Sequence, residues 1–366
     1  MKLSISNIAW DSMNDSHIYQ LMRKYKFNGL EIAPTKIFSE NPYEKLEEAK
    51  DWNKKLKKKY GFEICSMQAI WYGKQERLFG SSEERERLEN YTKKAIDFAK
   101  IIECKNLVFG SPKNRRLKEN ENLDSESKFF KSIGEYAFEN NTVIAMEANP
   151  TIYDTNYIND TKSALKLIKK INSKGFLLNL DLGTVIENNE NINELIGNVR
   201  YINHVHISEP YLRIIEKREI HKKLKQILLD EKYNNFISIE MVKVENIEKI
   251  EVAKKSDKTV GYVFKTLGKN GYGGDISMLM AVNIENKTIV GFKVLKHSET
   301  PGLGSRVTTD EYAKSVVGNK VTEHLVKNLH PDADNDIQAI TGTTISVNAV
   351  LNGLNAAIDA LQELEK

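Results

Sequence analysis

Four residues in this chain have the types and spacing to share a divalent cation: Glu147, Asp181, His206 and Glu240. Each ends, or nearly ends, a short apolar β-branched run: "VIAME" (143–147), "FLLNLD" (176–181), "HVHIS" (204–208) and "FISIEM" (236–241). Three carboxylates and one imidazole suit a hard-to-borderline ion such as Mn²⁺, Mg²⁺ or Co²⁺. One acid at a strand end is more often a cap or an ion-pair partner; four such groups on consecutive runs form a set. His204 precedes His206 by two residues, so a strand would carry both on one side, with His204 one layer deeper.

A second group lies near the C-terminus, in "GYGGDI" (271–276), "HSETPGLGSRV" (297–307) and "ITGTTIS" (340–346). Gly-rich segments let backbone N–H groups approach a ligand, and helix N-termini favour phosphate. The cluster Thr341, Gly342, Thr343 and Thr344 stands at the mouth of a helix whose buried stripe is Val347, Val350, Leu351, Leu354, Ile358 and Leu361. Taken alone, the segment reads as a helix cap at Thr341 or Ser346 with a turn at Gly342.

The elements that must position the first group alternate. Strand-like runs occupy 2–9, 29–33, 62–67, 106–110, 143–147, 176–181, 204–208 and 236–241, with helical patterns between them. In 81–103, Ser81 and Glu84 form a capping-box pattern, and Leu88, Tyr91, Ala95, Phe98 and Ile102 share a face. Eight strands alternating with helices over residues 1–250 predict an α/β fold, a (β/α)8 TIM barrel. An open doubly wound sheet is the rival; it usually has fewer strands, and no GxGxxG follows the first run. The stretch 244–255 is expected to be a short last helix or connection. Residues 251–366 then form a smaller α+β domain, with strands in "TVGYVFKTL", "DISMLMAVNI" and "TIVGFKVLK" and a hairpin turn at 285–287.

Composition narrows the function classes. A net charge of +3, spread over 54 basic and 51 acidic residues, argues for neither nucleic acid nor a membrane surface. No run approaches the roughly 18 apolar residues of a membrane span. The start, "MKLSISNIAWDSMNDSH", lacks an apolar core and reads as a first strand rather than a signal peptide. The two cysteines, Cys65 and Cys104, form no CxxC, which excludes iron–sulfur and Cys-rich zinc sites. A reduced, cytoplasmic chain is the expectation.

Residues 1–250 resemble the sugar phosphate isomerase/epimerase family, the xylose isomerase-like barrels, in "GLEIAP", "AMEANP", "NLDLGT", "HVHISEP" and "ISIEM". The resemblance implies Glu147, Asp181, His206 and Glu240 as metal ligands, and Glu147 and Glu240 as catalytic groups. These would pass protons between adjacent carbons of a sugar or sugar phosphate while the ion stabilises an enediolate. Many relatives carry His three residues after the Asp; here Thr184 stands there. Related DNA-repair endonucleases use three zinc ions and more histidines, whereas residues 1–250 hold only His17, His204, His206 and His221.

The three C-terminal segments together resemble the FMN-binding domain of the G subunit of Rnf electron-transport complexes and the C subunit of the sodium-pumping quinone reductase. "SETPGLG" carries most of that likeness, and "TGTTIS" is similar to the family's S/T-G-A-T motif. By the resemblance, FMN would be held covalently through its phosphate on Thr344, or noncovalently, with Thr341, Gly342, Thr343, Thr300, Gly302 and Gly273 around it. Lys296, His297 and Glu299 are further candidates near the isoalloxazine. Thr343 replaces the usual Ala, and Gln338 stands where an Asp commonly precedes the motif. The domain would pass electrons singly to a redox partner protein. Three readings stay open: a metal-dependent isomerase-like barrel joined to an FMN domain, an electron-transfer protein with a silent barrel, and a sugar isomerase with a flavin-free C-terminal domain.

Overall fold

The computed structural model describes residues 1–119, 121, 126–243, 246–256 and 258–365. They form two compact units, Met1–Lys243 and Val244–Lys366.

The first unit is a closed barrel of eight parallel strands in sequence order. They are β1 (Lys2–Ser6), β2 (Gly29–Ile32), β3 (Glu63–Met67), β4 (Leu107–Phe109), β5 (Ile144–Glu147), β6 (Phe176–Asp181), β7 (Ile202–Ile207) and β8 (Phe236–Ile239). β8 closes on β1, pairing Leu3 with Ile237 and Ile5 with Ile239. Alternation along the strands separates two layers. Leu30, Ile32, Leu107, Phe109, Ile144, Met146, Leu178, Leu180 and Val205 belong to the buried apolar core. Polar side chains meet one another instead: Ser4 Oγ lies 2.6 Å from Ser238 Oγ, and His204 Nε2 lies 2.8 Å from the same Ser238 oxygen. Barrel interiors are usually filled by branched apolar residues; this one carries a hydrogen-bonded polar column.

The helix Ser82–Ile101 begins with the expected capping box. Ser81 Oγ accepts from Glu84 N at 3.2 Å, and Ser81 N donates to Glu84 Oε2 at 2.8 Å. Its Leu88, Ala95 and Phe98 are fully buried, while Tyr91 packs from the margin of the core.

The second unit holds a four-stranded antiparallel sheet, ordered β12-β11-β10-β9. Its strands are β9 (Ile247–Lys255), β10 (Lys258–Gly271), β11 (Gly274–Asn283) and β12 (Thr288–Lys296). A short parallel pair, β13 (Val326–Asn328) with β14 (Asp336–Gln338), lies outside it. The stretch expected to be a short last helix or connection is strand β9 from Ile247 onward. Its alternating "IEKIEVAKK" puts Ile250 opposite Phe264 and Val252 opposite Tyr262, so pairing with β10 overrides any helical preference. The two units therefore part ahead of position 250. The turn between Asn283 and Thr288 contains 285–287 as expected.

The C-terminal helix, Thr344–Leu364, packs on β10 and β11. Val347, Val350, Leu354, Ile358 and Leu361 are buried, and Leu351 is partly so. Helix and sheet come into backbone contact at Gly268, where an added Cβ would overlap the Ala349 carbonyl oxygen. Gly268→Val should therefore destabilise this unit by about 1–3 kcal/mol, the usual range for overpacking. Hydrogen exchange should show the loss in the helix amides and not in the barrel strands.

Candidate functional site

The barrel places the four expected ligands together. One donor atom from each of Glu147, Asp181, His206 and Glu240 lies within 4.8 Å of the others, and all four residues are buried. Glu147 and Asp181 end β5 and β6, His206 lies in β7, and Glu240 directly follows β8. His206 Nδ1 is 3.0 Å from Glu147 Oε1 and 3.0 Å from Glu240 Oε2. Its other nitrogen, Nε2, lies 2.9 Å from Glu31 Oε1. With Nε2–H donating to Glu31, loss of the Nδ1 proton would leave a lone pair aimed between Glu147 and Glu240, the arrangement typical of metal-bound histidine. The donor set fits a divalent ion.

Neighbouring groups hold the acids in place. Asn179 Nδ2 donates to Glu147 Oε1 at 2.8 Å, and Asn149 Nδ2 to Glu147 Oε2 at 3.1 Å. The fully buried Arg115 donates to Asn149 Oδ1 at 2.6 Å and so stiffens the second contact. Asp181 Oδ2 accepts from the Thr184 backbone at 2.7 Å, and its Oδ1 accepts from the Ser208 hydroxyl. Gln68, with its amide nitrogen turned toward the acids, donates to Glu31 Oε1 at 3.0 Å and to Glu240. His204 sits a layer deeper, with Nε2 3.1 Å from Glu31 Oε2.

Burial and crowding shift the titrations. Burial raises Glu240 to about 7, against the attraction of His206 and with help from Glu147 and Glu31. Burial also raises Asp181, and Glu147 adds to the effect. Burial opposes charge on His206, but Glu240 and Glu31 hold it well above the usual histidine value. Burial would raise Glu31 too, yet His206 and His204 keep it below the normal carboxylate range. His204 is lowered by burial in spite of Glu31.

In the second unit, Thr344 opens the C-terminal helix and is exposed, as are Thr341 and Gly342; Gly342 has φ +82. Thr343 is buried, and its hydroxyl donates to Ile340 O at 3.0 Å. Thr300 and Gly302 are exposed in a turn where Leu303 N donates to Thr300 O at 3.2 Å and Gly302 N to Ser305 Oγ at 3.0 Å. Gly273 N donates to Glu299 Oε1 at 2.9 Å. Lys296 is exposed at the end of β12, and His297 Nδ1 accepts from Glu299 N at 3.1 Å. Glu299 is buried, a tie between loops rather than an open contact. An exposed hydroxyl in the first turn of a long helix, with no acid in that turn, fits a phosphate-bearing group.

Residues 19–258 match the family model of the xylose isomerase-like TIM barrel. The chain belongs to that family. Residues 271–359 match the FMN-binding domain. The N-terminal fold is shared with a D-psicose 3-epimerase from Clostridium cellulolyticum H10 solved with D-tagatose, at 15% identity and a TM-score of 0.53, covering 66% of this chain and 85% of that one. It is shared equally with the IOLI protein solved with a zinc atom, at 14% identity and a TM-score of 0.53, covering 66% and 90%. The C-terminal part is similar to the G subunit of the Na⁺-translocating ferredoxin:NAD⁺ oxidoreductase complex of Acetobacterium woodii, 35% identical over 133 residues, covering 35% of this chain and 62% of the relative. The G subunit of an ion-translocating oxidoreductase complex of Methanosarcina acetivorans is 39% identical over 111 residues, covering 30% and 56%. The chain thus spans 62% and 56% of these two relatives' lengths. Among the described residues no helix is long and apolar enough to cross a membrane.

Within this xylose isomerase-like barrel, sequence reasoning missed Glu31, Gln68, Asn179 and Arg115. Glu31 carried the one available signal, a lone acid inside the apolar run "GLEIA".

The raised groups set a pH dependence for the metal-free protein. Glu240 favours the fold below its ordinary value of 4.5 and loses that contribution as pH rises toward about 7. Asp181 and His206 act in the same sense; Glu31, being lowered, contributes above its ordinary value and loses that only in acid. In EDTA, the melting temperature should fall from pH 6 to pH 8, and Glu240→Gln should flatten the fall.

Proposed function

We propose that the chain is a two-module flavoprotein: FMN on the C-terminal unit carries electrons, and the barrel is a divalent-metal-dependent sugar or sugar phosphate isomerase or epimerase. The observation that carries the barrel half is the convergence of Glu147, Asp181, His206 and Glu240 on one point, with His206 fixed through Glu31. The structural relatives named above were solved with D-tagatose and with a zinc atom, which supports the same reading. A divalent ion there would supply positive charge to a carbonyl oxygen and its enediolate. Glu147 and Glu240 face the same point, so one can take a proton from a carbon and the other return one to its neighbour. Asn179 keeps the Glu147 carboxylate oriented and Gln68 that of Glu240.

For the flavin half, accessibility favours Thr344. The hydroxyls of Thr343 and Ser346 are buried and already donate within the fold, while Thr344 is open to solvent at the helix start. Bound FMN would supply one-electron chemistry. The helix N-terminus would hold its phosphate, and a protein redox partner would receive the electrons, in keeping with the oxidoreductase complexes to which the relatives belong.

One observation favours a silent barrel. The Thr184 backbone N–H and hydroxyl both lie 2.7 Å from Asp181 Oδ2, and the hydroxyl also lies 2.8 Å from Ala148 O. No imidazole stands there to meet a substrate.

Two measurements separate these readings. After co-expression with a flavin transferase, acid-precipitated protein should keep its yellow colour, and Thr344→Val should lose it. Colour released by acid from both would mean noncovalent FMN, and a colourless parent would refute the flavin half. With Mn²⁺ present, the parent should interconvert a ketose such as D-fructose or D-tagatose with its epimer or isomer, and Glu240→Gln should lower kcat by about 10²-fold or more. Metal binding without turnover on any ketose or aldose would select the silent barrel.

A further inference from the structure

Glu299 is a buried carboxylate that neither the barrel chemistry nor the flavin phosphate uses. It lies in "HSETPGLGSRV" and is 4% exposed. Its Oε1 accepts from Gly273 N at 2.9 Å, and its Oε2 accepts from the Ser346 hydroxyl. Gly273 belongs to "GYGGDI", and Ser346 lies in the first turn of the C-terminal helix, just beyond Thr344. One side chain therefore joins the three segments that the sequence presents separately. The space around it is kept open: a Cβ on Gly304 would overlap Glu299 Oε2 and come within 2.7 Å of Ser346 Oγ. Among the described residues no ion pair to Glu299 is formed, so an amide and a hydroxyl are what compensate the buried charge.

Three apolar side chains stand on the same segments and face solvent: Tyr272 at 72% exposure, Leu303 at 53% and Ile345 at 50%. Ile345 is adjacent to Thr344. Glu299 ties together the three segments that carry these exposed apolar groups, and a flat aromatic ring tethered at Thr344 is an occupant that would cover them.

We propose that Glu299 is the positioning residue of the flavin site, clamping the Gly273 loop and the helix start onto its own loop so that Thr344 and the apolar side chains form one fixed frame for FMN. This rests on the flavin reading above. The clamp is geometric. Gln in place of Glu keeps an acceptor for Gly273 N–H and turns an amide N–H toward the Ser346 oxygen. Ala keeps neither and leaves the Gly273 N–H and the buried Ser346 hydroxyl without this partner.

The test is FMN titration by fluorescence quenching into the full chain, prepared flavin-free, as parent, E299A and E299Q. E299A should bind FMN about tenfold or more weakly, and E299Q should stay within about threefold of the parent. Circular dichroism and unchanged Mn²⁺ binding check that the variants are folded. If E299A does not fold, S346A removes one leg of the clamp and should weaken FMN by a smaller factor without loss of helix protection. Unchanged affinity in E299A, or in S346A where E299A does not fold, overturns the proposal. Equal weakening in E299A and E299Q also overturns it, since charge and not geometry would then be at work. A parent that neither binds nor carries FMN overturns this proposal and the flavin reading together.

Discussion

Buried negative charge is the constraint on which the barrel depends. Glu31, Glu147, Asp181 and Glu240 are all 8% exposed or less, and among the described residues their ion pairs are with imidazoles alone. Two histidines cannot balance four carboxylates while His204 is held neutral by its burial. Uncompensated charge in a protein interior costs several kcal/mol per group. A divalent cation, as proposed, would balance that charge; within the fold Glu31 holds His206, and Asn179, Gln68, Thr184 and Ser208 each satisfy a carboxylate oxygen.

The second unit solves a related problem on a smaller scale. There a single carboxylate, Glu299, is buried among an amide, a hydroxyl and its own loop. The sheet of β9–β12 and the C-terminal helix supply the rigid frame, with Gly268 allowing helix and sheet into backbone contact. The three motif segments are then loops at the edge of that frame, tied at one point. Both units use fixed hydrogen bonds to hold acids where a positively charged or electron-accepting group is expected.

Most of the barrel was legible because eight short apolar, β-branched runs alternate with helical patterns at regular spacing, and those runs overlap strands β1–β8. That Glu147, Asp181, His206 and Glu240 would lie together was legible because strand ends project to one face of a barrel. Residues such as Arg115 and Gln68 were not, since a loop arginine and a strand-end glutamine look like surface groups until the chain closes over them. The stretch 247–255 misled for the opposite reason: "IEKIEVAKK" satisfies a short amphipathic helix as readily as an edge strand, and only the partner strand β10 decides. In the C-terminal segments, the hydroxyl pattern alone read as a helix cap and only the family resemblance singled out Thr344, while the contacts of Glu299 with Gly273 and Ser346 join positions remote in sequence.

The central claim is that the barrel mouth is a metal centre with His206 Nδ1 as its nitrogen ligand. Electron spin echo spectroscopy of the Mn²⁺-loaded protein tests it most directly. The account predicts modulation from one directly coordinated nitrogen, lost in His206→Gln. Mn²⁺ that binds without nitrogen coupling, or with coupling unchanged in that variant, would contradict it.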